Sequence, residues 1–69
     1  MAEPELENKL REHRARLELT QAELAERVGV SRKTINTVEN GVFTPSATLA
    51  LKLARALGVS VEKIFSLRD

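Results

Sequence analysis

The sequence predicts an all-α fold, a compact bundle of five helices that forms one domain over residues 1–69. Apolar residues recur three and four positions apart through most of the chain, and this spacing lines one face of a helix. Two of these segments end in a glycine, Gly29 and Gly58, which tolerates the left-handed conformation that closes helices. An apolar content of 42% is ample for the core of so small a domain.

The first helix is predicted over residues 5–18, after a short frayed tail of residues 1–4. Its apolar stripe consists of Leu6, Leu10 and Leu17. Arg14 lies on this stripe and needs a partner if the bundle partly covers it, and Glu39 is the nearest acid that leans inward. We therefore expect an ion pair between Arg14 and Glu39 that orients the first helix.

The second helix begins with a capping box. Thr20 is followed three residues later by Glu23, and the two side chains can satisfy each other's free backbone N–H groups, so the helix begins near Gln21. Its inward face consists of Leu24, Ala25 and Val28. A small residue such as Ala25 suits a position where two helices cross closely.

A third helix follows the turn at Gly29. Ser31 is a good N-cap for it, and Ile35 and Val38 are spaced three apart, so that both point inward against the second helix. Two helices that meet through so tight a turn, over residues 20–40, form a helix-turn-helix, a motif typical of DNA-binding proteins.

The outward face of the third helix carries polar and basic side chains. A step of about 100° per residue turns this face away from the two buried positions. It consists of Lys33, Asn36 and Thr37, flanked by Arg32 and Thr34. None of these is a carboxylate, which the phosphates beside the major groove would repel. Arg32 and Lys33 suit guanine, and Asn36 suits adenine. Taken alone, the same residues could equally form a solvated helix face with no ligand.

The fourth helix opens at Thr44, an N-cap, and Pro45, a first-turn proline, and runs to Leu57. Its apolar residues cover more than one stripe, so we expect it to lie centrally in the bundle or also to face a partner. A last short helix, capped by Ser60, carries Val61, Ile64 and Phe65.

Residues 8–67 resemble the phage-repressor and Cro-like helix-turn-helix regulators often called the Xre family. The matching residues, in order, are Leu10, Arg14, Leu19, Thr20, Gln21, Leu24, Ala25, Gly29, Val30, Ser31, Ile35, Glu39, Asn40, Gly41, Pro45, Ser46, Ala54, Leu57, Gly58, Val59, Ile64 and Phe65. Several of these are common residues, but the ordered set is highly specific. The resemblance implies a lambda-repressor-like domain in which the second and third helices form the motif.

The resemblance also implies which residues meet DNA. The base edges are approached by Arg32, Lys33 and Thr37, and we add Asn36, which lies at the groove margin. The phosphates are contacted by Gln21 and Asn40, and we add Ser31 and Thr34 from the same margin. The pairing of Arg14 with Glu39 is implied as well.

The amino-acid composition restricts the kind of nucleic acid that the protein can bind. The net charge is only +1, although residues 40–61 contain no acid, so we expect weak, salt-dependent binding by one copy and useful affinity from two. An aromatic content of 3% leaves no stacking platform for single strands, which makes double-stranded DNA the better partner.

Other functional classes find little support. One histidine, His13, and no cysteine leave no ligand set for a metal, and neither a glycine-rich phosphate loop nor a serine elbow indicates an enzyme. We expect no cofactor and no small-molecule ligand, and His13 is most simply a solvated side chain. No segment is apolar for long enough to cross a membrane, the acidic amino terminus is unlike a secretory signal, and the lack of cysteine fits a reducing cytoplasm.

Two apolar residues, Val42 and Phe43, stand where many members of the resembling family have a basic residue. Such residues in a short loop most often cover the core, and a contact between subunits is the alternative. A self-association patch would then consist of Val42, Phe43, Leu51 and Leu67. A two-fold dimer holds two recognition helices about 34–36 Å apart and predicts a palindromic site.

We therefore expect a cytoplasmic homodimer that binds specific double-stranded DNA and represses transcription by excluding polymerase. The alternative is an antitoxin-like module that holds a toxin-like protein partner on the same fold, because fold alone does not decide between the two. The acid-free third helix favours DNA, whereas the apolar loop at Val42 and Phe43 favours the interaction module.

Overall fold

The computed structural model describes residues 5–68, which form five helices and a small two-stranded sheet. In chain order the elements are β1 (Glu5–Asn8), α1 (Leu10–Arg16), α2 (Gln21–Val28), α3 (Arg32–Glu39), α4 (Ala47–Leu57), α5 (Val61–Ile64) and β2 (Phe65–Arg68). The five predicted helices are confirmed, and the sheet is an addition to them. The tail predicted over residues 1–4 lies outside the described residues. Between residues 5 and 68, none of the helices has the length and apolar character needed to span a bilayer.

Four helices meet in one apolar core. The side chains without any solvent exposure include Leu10 of α1, Leu24 of α2, Ile35 of α3 and Leu53 of α4. The broad apolar surface of α4 predicted a central place for this helix, and four of its residues are indeed buried. Leu51, on the opposite side of α4, is 62% exposed, whereas Ala50 and Ala56 are partly buried against the core.

The amino-terminal segment departs from its predicted form. The helix expected over residues 5–18 is wrong at both ends, because β1 replaces its first turn and α1 ends at Arg16. Of the three leucines expected on one buried stripe, Leu10 alone is buried. Leu17 lies beyond the end of α1 and is 43% exposed, and Leu6 belongs to β1 and is 36% exposed.

Long-range pairing explains the strand. β1 and β2 run antiparallel, with Arg68 opposite Glu5 and Leu67 opposite Leu6. The Nη1 of Arg68 lies 3.7 Å from the Oε2 of Glu5, and its guanidinium also bonds to Glu7. Opposite charges and apolar side chains that face each other across two strands both favour the pairing. Since the partner strand lies at the other end of the chain, helical spacing within the first residues could not reveal it.

Two helix starts also differ in detail from the prediction. α4 is capped by Ser46, whose Oγ accepts a backbone N–H of the first turn at 3.1 Å, so the cap predicted at Thr44 with Pro45 in the first turn is wrong. Both hydroxyl residues could serve as caps by residue type, and Ser46 is the one that makes the capping hydrogen bond. α5 follows Ser60 as predicted, but this side chain makes no capping hydrogen bond, and Phe65 belongs to β2 instead of the helix.

A buried carboxylate ties α1 and α2 to the end of α3. The side chain of Glu39 has no solvent exposure, and Arg14 donates to it from Nε at 2.6 Å and from Nη2 at 3.2 Å. Arg11 and Gln21 donate to the Oε1 of Glu39 at 3.3 and 3.2 Å. Arg14 also donates from Nη1 to the Leu19 carbonyl at 2.8 Å, which fixes the α1–α2 connection.

These contacts determine the charge of Glu39. Burial by itself raises the pKa of Glu39, but the hydrogen bonds from Arg14 and Gln21 and the charge of Arg14 outweigh it, so the pKa lies below its ordinary value of 4.5. The hydrogen bond to Glu39 raises the pKa of Arg14 in turn. The pair is therefore ionised at neutral pH.

We expect the core of α4 to dominate stability. Leu53→Ala should lower the free energy of unfolding by about 2–5 kcal/mol, because it leaves a cavity among fully buried neighbours. Lys52→Ala, at an exposed position of the same helix, should change it by less than about 0.5 kcal/mol. Urea denaturation followed by circular dichroism measures both. Equal losses for the two variants would contradict the placement of α4.

We also expect Glu39 to make the free energy of unfolding depend on pH in the acid range. A carboxyl whose pKa is lowered by folding adds stability above its unfolded pKa, and this stability is lost as the pH falls through the lower folded pKa. Glu39→Gln should reduce the free energy of unfolding at pH 7 by about 2–3 kcal/mol, since a charge-assisted hydrogen bond is lost in the interior.

Below the ordinary glutamate pKa of 4.5, the stability of the wild type and that of Glu39→Gln should converge. Thermal unfolding at a series of pH values measures this, with Glu62→Gln as a control at an exposed glutamate of α5. Parallel curves for the wild type and Glu39→Gln across the acid range would show that the carboxylate has no such role.

Candidate nucleic-acid interface

α2 and α3 form a helix-turn-helix whose ends are set by local hydrogen bonds. The Glu23 N–H donates to the Oγ1 of Thr20 at 3.0 Å and the Thr20 N–H donates to the Oε1 of Glu23 at 2.8 Å, which completes the capping box. Gly29 ends α2 in the left-handed region, with φ of +76°. The Oγ of Ser31 accepts the Thr34 N–H at 3.1 Å and caps α3. Each of these local predictions is confirmed.

The inward face of α3 determines its outward face. Ile35 and Val38 are buried in the same core as Leu24 and Val28 of α2. Ala25 is buried as well, and its small side chain permits a close approach of the two helices. Rotating α3 about its axis would expose these apolar groups to water, so the set of residues that points outward is fixed.

We call the outward residues of α3 the recognition arc, which comprises Arg32, Lys33, Thr34, Asn36 and Thr37. Arg32 and Lys33 are exposed, and the other three are half-buried. The single acid of α3, Glu39, is turned inside and neutralised by Arg14. The arc therefore presents an open surface with two cations and no carboxylate.

A chain of amide hydrogen bonds orients Asn36 on this arc. Gln21 donates from Nε2 to the Oδ1 of Asn36 at 3.1 Å, and Asn40 donates from Nδ2 to the same oxygen at 3.3 Å. Asn40 in turn accepts from Arg11 at 3.0 Å. The oxygen of Asn36 is thus engaged within the protein, and its Nδ2 is the group left to meet a ligand. The side chain of Gln21, a residue expected to contact a phosphate, donates from Nε2 to both Asn36 and Glu39.

The hydroxyl groups near the arc are also engaged internally. Thr37 donates from Oγ1 to the Thr34 carbonyl at 2.9 Å, and the Oγ1 of Thr34 lies 3.0 Å from the Oγ of Ser31. With each hydroxyl bonded to its own helix or cap, the threonine methyl groups add apolar surface to the arc. The sequence indicated polar contacts at these positions, and the structure adds this apolar component.

The residues expected at a dimer contact are all exposed, but they lie in different places. The exposed fraction is 78% for Val42, 48% for Phe43, and 62% for both Leu51 and Leu67. The interpretation that Val42 and Phe43 cover the core is therefore wrong. These two line a depression together with residues of α3, whereas Leu51 lies on α4 and Leu67 on β2.

Two contributing residues were not identified from the sequence. Arg11 contacts both Glu39 and Asn40, and its position three residues before Arg14 on α1 could have indicated a shared partner. Asn8 donates from Nδ2 to the Val38 carbonyl at 3.0 Å, which joins β1 to the end of α3. The Oδ1 of Asn8 accepts the Leu10 N–H at 3.2 Å, but no local pattern could reveal the contact with Val38, which is 30 residues away.

Residues 5–68 contain no group of three or more His, Cys, Asp and Glu side chains placed to hold a metal ion. His13, expected to be a solvated side chain, lies with its Nε2 3.2 Å from the Lys63 carbonyl oxygen, a contact that joins α1 to α5.

Comparison with known proteins gives a consistent result. A helix-turn-helix family model matches residues 10–64. An HTH-type transcriptional regulator of Methanothermobacter thermautotrophicus is 58% identical over 61 residues, which cover 87% of this chain and 88% of that protein. Another from Methanocaldococcus jannaschii is 47% identical over 64 residues, covering 93% and 97%.

Among solved structures, the P22 c2 repressor in complex with a synthetic operator superposes with a TM-score of 0.76 at 33% identity, covering 78% of this chain and 82% of the repressor. The family comprises DNA-binding regulators and not enzymes. The chain therefore belongs to the Cro/C1-type helix-turn-helix family of transcriptional regulators.

Proposed function

We propose that this protein binds specific sites on double-stranded DNA as a homodimer and represses transcription by excluding polymerase. The observation that carries the proposal is the recognition arc, which is exposed and basic while the one carboxylate of α3 is buried and paired. Such a surface can enter a major groove without electrostatic repulsion from the flanking phosphates. The P22 c2 repressor, which was solved on an operator, supports the same use of the motif.

The arc divides into direct readers and supporting groups. Arg32 and Lys33, the exposed cations, read guanine through its O6 and N7 acceptors. Asn36 donates from its free Nδ2 to an acceptor such as a purine N7, because its oxygen is held by Gln21 and Asn40. This replaces the two-bond contact to adenine that the residue type alone suggests. Thr37 contacts the base edges from the same face.

The phosphate contacts come from the rim of the motif. We assign them to Ser31, Thr34, Gln21 and Asn40, at the start of α2 and at both ends of α3. Ser31 and Thr34 share one hydrogen bond, which uses one of their two hydroxyl hydrogens and leaves the other to donate to a phosphate. The Nε2 of Gln21 is already used inside the protein, so its backbone N–H at the first position of α2 is the donor left for a phosphate. Gln21 therefore both orients Asn36 and presents the helix end.

Two copies are needed for useful affinity. A net charge of +1 supplies little of the electrostatic free energy that anchors proteins to DNA, so a second copy has to add further phosphate contacts. Leu51 and Leu67 are exposed apolar side chains on elements other than α3, and we assign them to the contact between copies. A two-fold arrangement requires a palindromic site. We place this activity in the cytoplasm, which the absence of cysteine supports.

We expect Lys33→Ala to relax sequence preference. The loss should be about 1–3 kcal/mol at one or two base pairs, because a direct contact to a base edge disappears. Lys52→Ala is the matched control, since it removes the same charge from an exposed lysine of α4. Competition binding to selected and scrambled duplexes measures both variants. If Lys52→Ala and Lys33→Ala weaken all duplexes to the same extent, α3 does not read the bases.

Selection from a random duplex pool tests the dimer. We expect an inverted repeat whose half-sites are centred about 10–10.5 base pairs apart, because two recognition helices of a dimer meet one face of the duplex. Affinity should fall steeply between about 50 and 200 mM salt as counterion release is lost. A single unrepeated half-site bound by one copy would exclude the homodimer, and no enrichment at low salt would exclude DNA binding altogether.

A further inference from the structure

Val42 and Phe43 are held in place despite their exposure. Gly41 turns the chain after α3 with φ of +73°, and the N–H groups of Val42 and Phe43 both donate to the Thr37 carbonyl, at 2.9 and 3.2 Å. The loop is therefore bound to the last turn of α3 by its own backbone. Two apolar side chains kept in water by a fixed backbone lose free energy unless a ligand covers them.

The depression beside this loop shares its wall with the recognition arc. It has a volume of about 330 Å³ and is lined by Lys33, Thr34, Thr37, Val42 and Phe43. The hydroxyls of Thr34 and Thr37 are bonded internally, so their methyl groups extend the apolar surface of the loop. Lys33 provides the single charge at the rim. The lining is thus mostly apolar, with one cation, and it continues the surface that faces DNA.

We infer that this depression reads the C5-methyl groups of thymine, with Val42 and Phe43 as specificity-determining residues. The inference rests on the proposed function, because it requires α3 to lie in the major groove. The thymine methyl is the apolar group that base pairs display in that groove, and apolar side chains recognise it by contact. Lys33 at the rim of the same depression can meet a guanine or a phosphate beside the thymine.

A protein partner fits this location less well. Any protein seated against Val42 and Phe43 would also cover Lys33 and Thr37, which line the same depression. Contact between two copies through this surface would therefore block the recognition arc. The location favours DNA over a second copy of the chain, and the apolar side chains on α4 and β2 remain for self-association.

The experiment removes the methyl group and nothing else. Duplexes that the full chain selects from a random pool are resynthesised with deoxyuridine in place of each thymine, singly and together. We expect the wild type to bind more weakly by about 4-fold for each methyl group that is contacted, the factor corresponding to ~0.8 kcal/mol per buried CH₂ group. The double variant Val42→Ala/Phe43→Ala should bind the thymine and uracil duplexes equally.

Leu17→Ala is the matched control. Leu17 is 43% exposed, close to the 48% of Phe43, but it follows α1, so its variant should retain the full preference for thymine. The two variants should remain folded and lose similar, small amounts of thermal stability, because Phe43 and Leu17 are exposed to similar extents. This separates recognition from folding.

The possible results distinguish a failure of the thymine inference from a failure of the proposed function. Selected duplexes without recurrent thymine, or equal binding of thymine and uracil duplexes by the wild type, would overturn the inference while leaving DNA binding intact. A preference for thymine that survives in Val42→Ala/Phe43→Ala would also overturn it. If this double variant is a monomer by sedimentation while its preference for thymine is unchanged, Val42 and Phe43 serve the dimer contact and the inference is likewise overturned. Failure of the wild type to bind any duplex would instead reject the proposed function.

Discussion

The structure depends on one buried carboxylate. Glu39 stands at the last position of α3, where its side chain receives hydrogen bonds from Arg14 and Arg11 of α1 and from Gln21 of α2. A buried ion pair adds little net stability compared with apolar packing, but a partner left alone in the interior is costly. This cost fixes the relative positions of three helices. Within residues 5–68, no buried side-chain nitrogen or oxygen lacks a hydrogen-bond partner.

The same network shapes what α3 can offer to DNA. By turning Glu39 inward it removes the one negative charge of the helix from the groove side, and through Gln21 it holds the oxygen of Asn36 inside the protein. The recognition arc then presents cations, one amide donor and methyl groups, with hydroxyls engaged internally. The residues that join α1 and α2 to α3 also orient Asn36, the side chain that we propose to meet the bases, so the proposal links stability to recognition.

Local and long-range features differ in how far they could be predicted. The capping box at Thr20, the helix end at Gly29 and the cap at Ser31 each involve residues a few positions apart, and all three are found as expected. The first turn of the predicted amino-terminal helix is a strand, because residues near Arg68 supply a partner that no local pattern reveals. Likewise, helical spacing could not show whether the side chains of Val42 and Phe43 cover the core or are exposed to solvent.

The sequence by itself determined the five helices and the inward and outward faces of α3, because helical periodicity, capping and turn chemistry act over a few residues. It also indicated the family, through an ordered set of residues that resembles its members. The tertiary structure alone decided the sheet, the contacts that Arg11 and Gln21 add to the predicted Arg14–Glu39 pair, and the orientation of Asn36. It also decided the exposure of the loop after α3. These depend on groups that are distant in the chain and meet only when the core forms, so their free energies belong to no single segment.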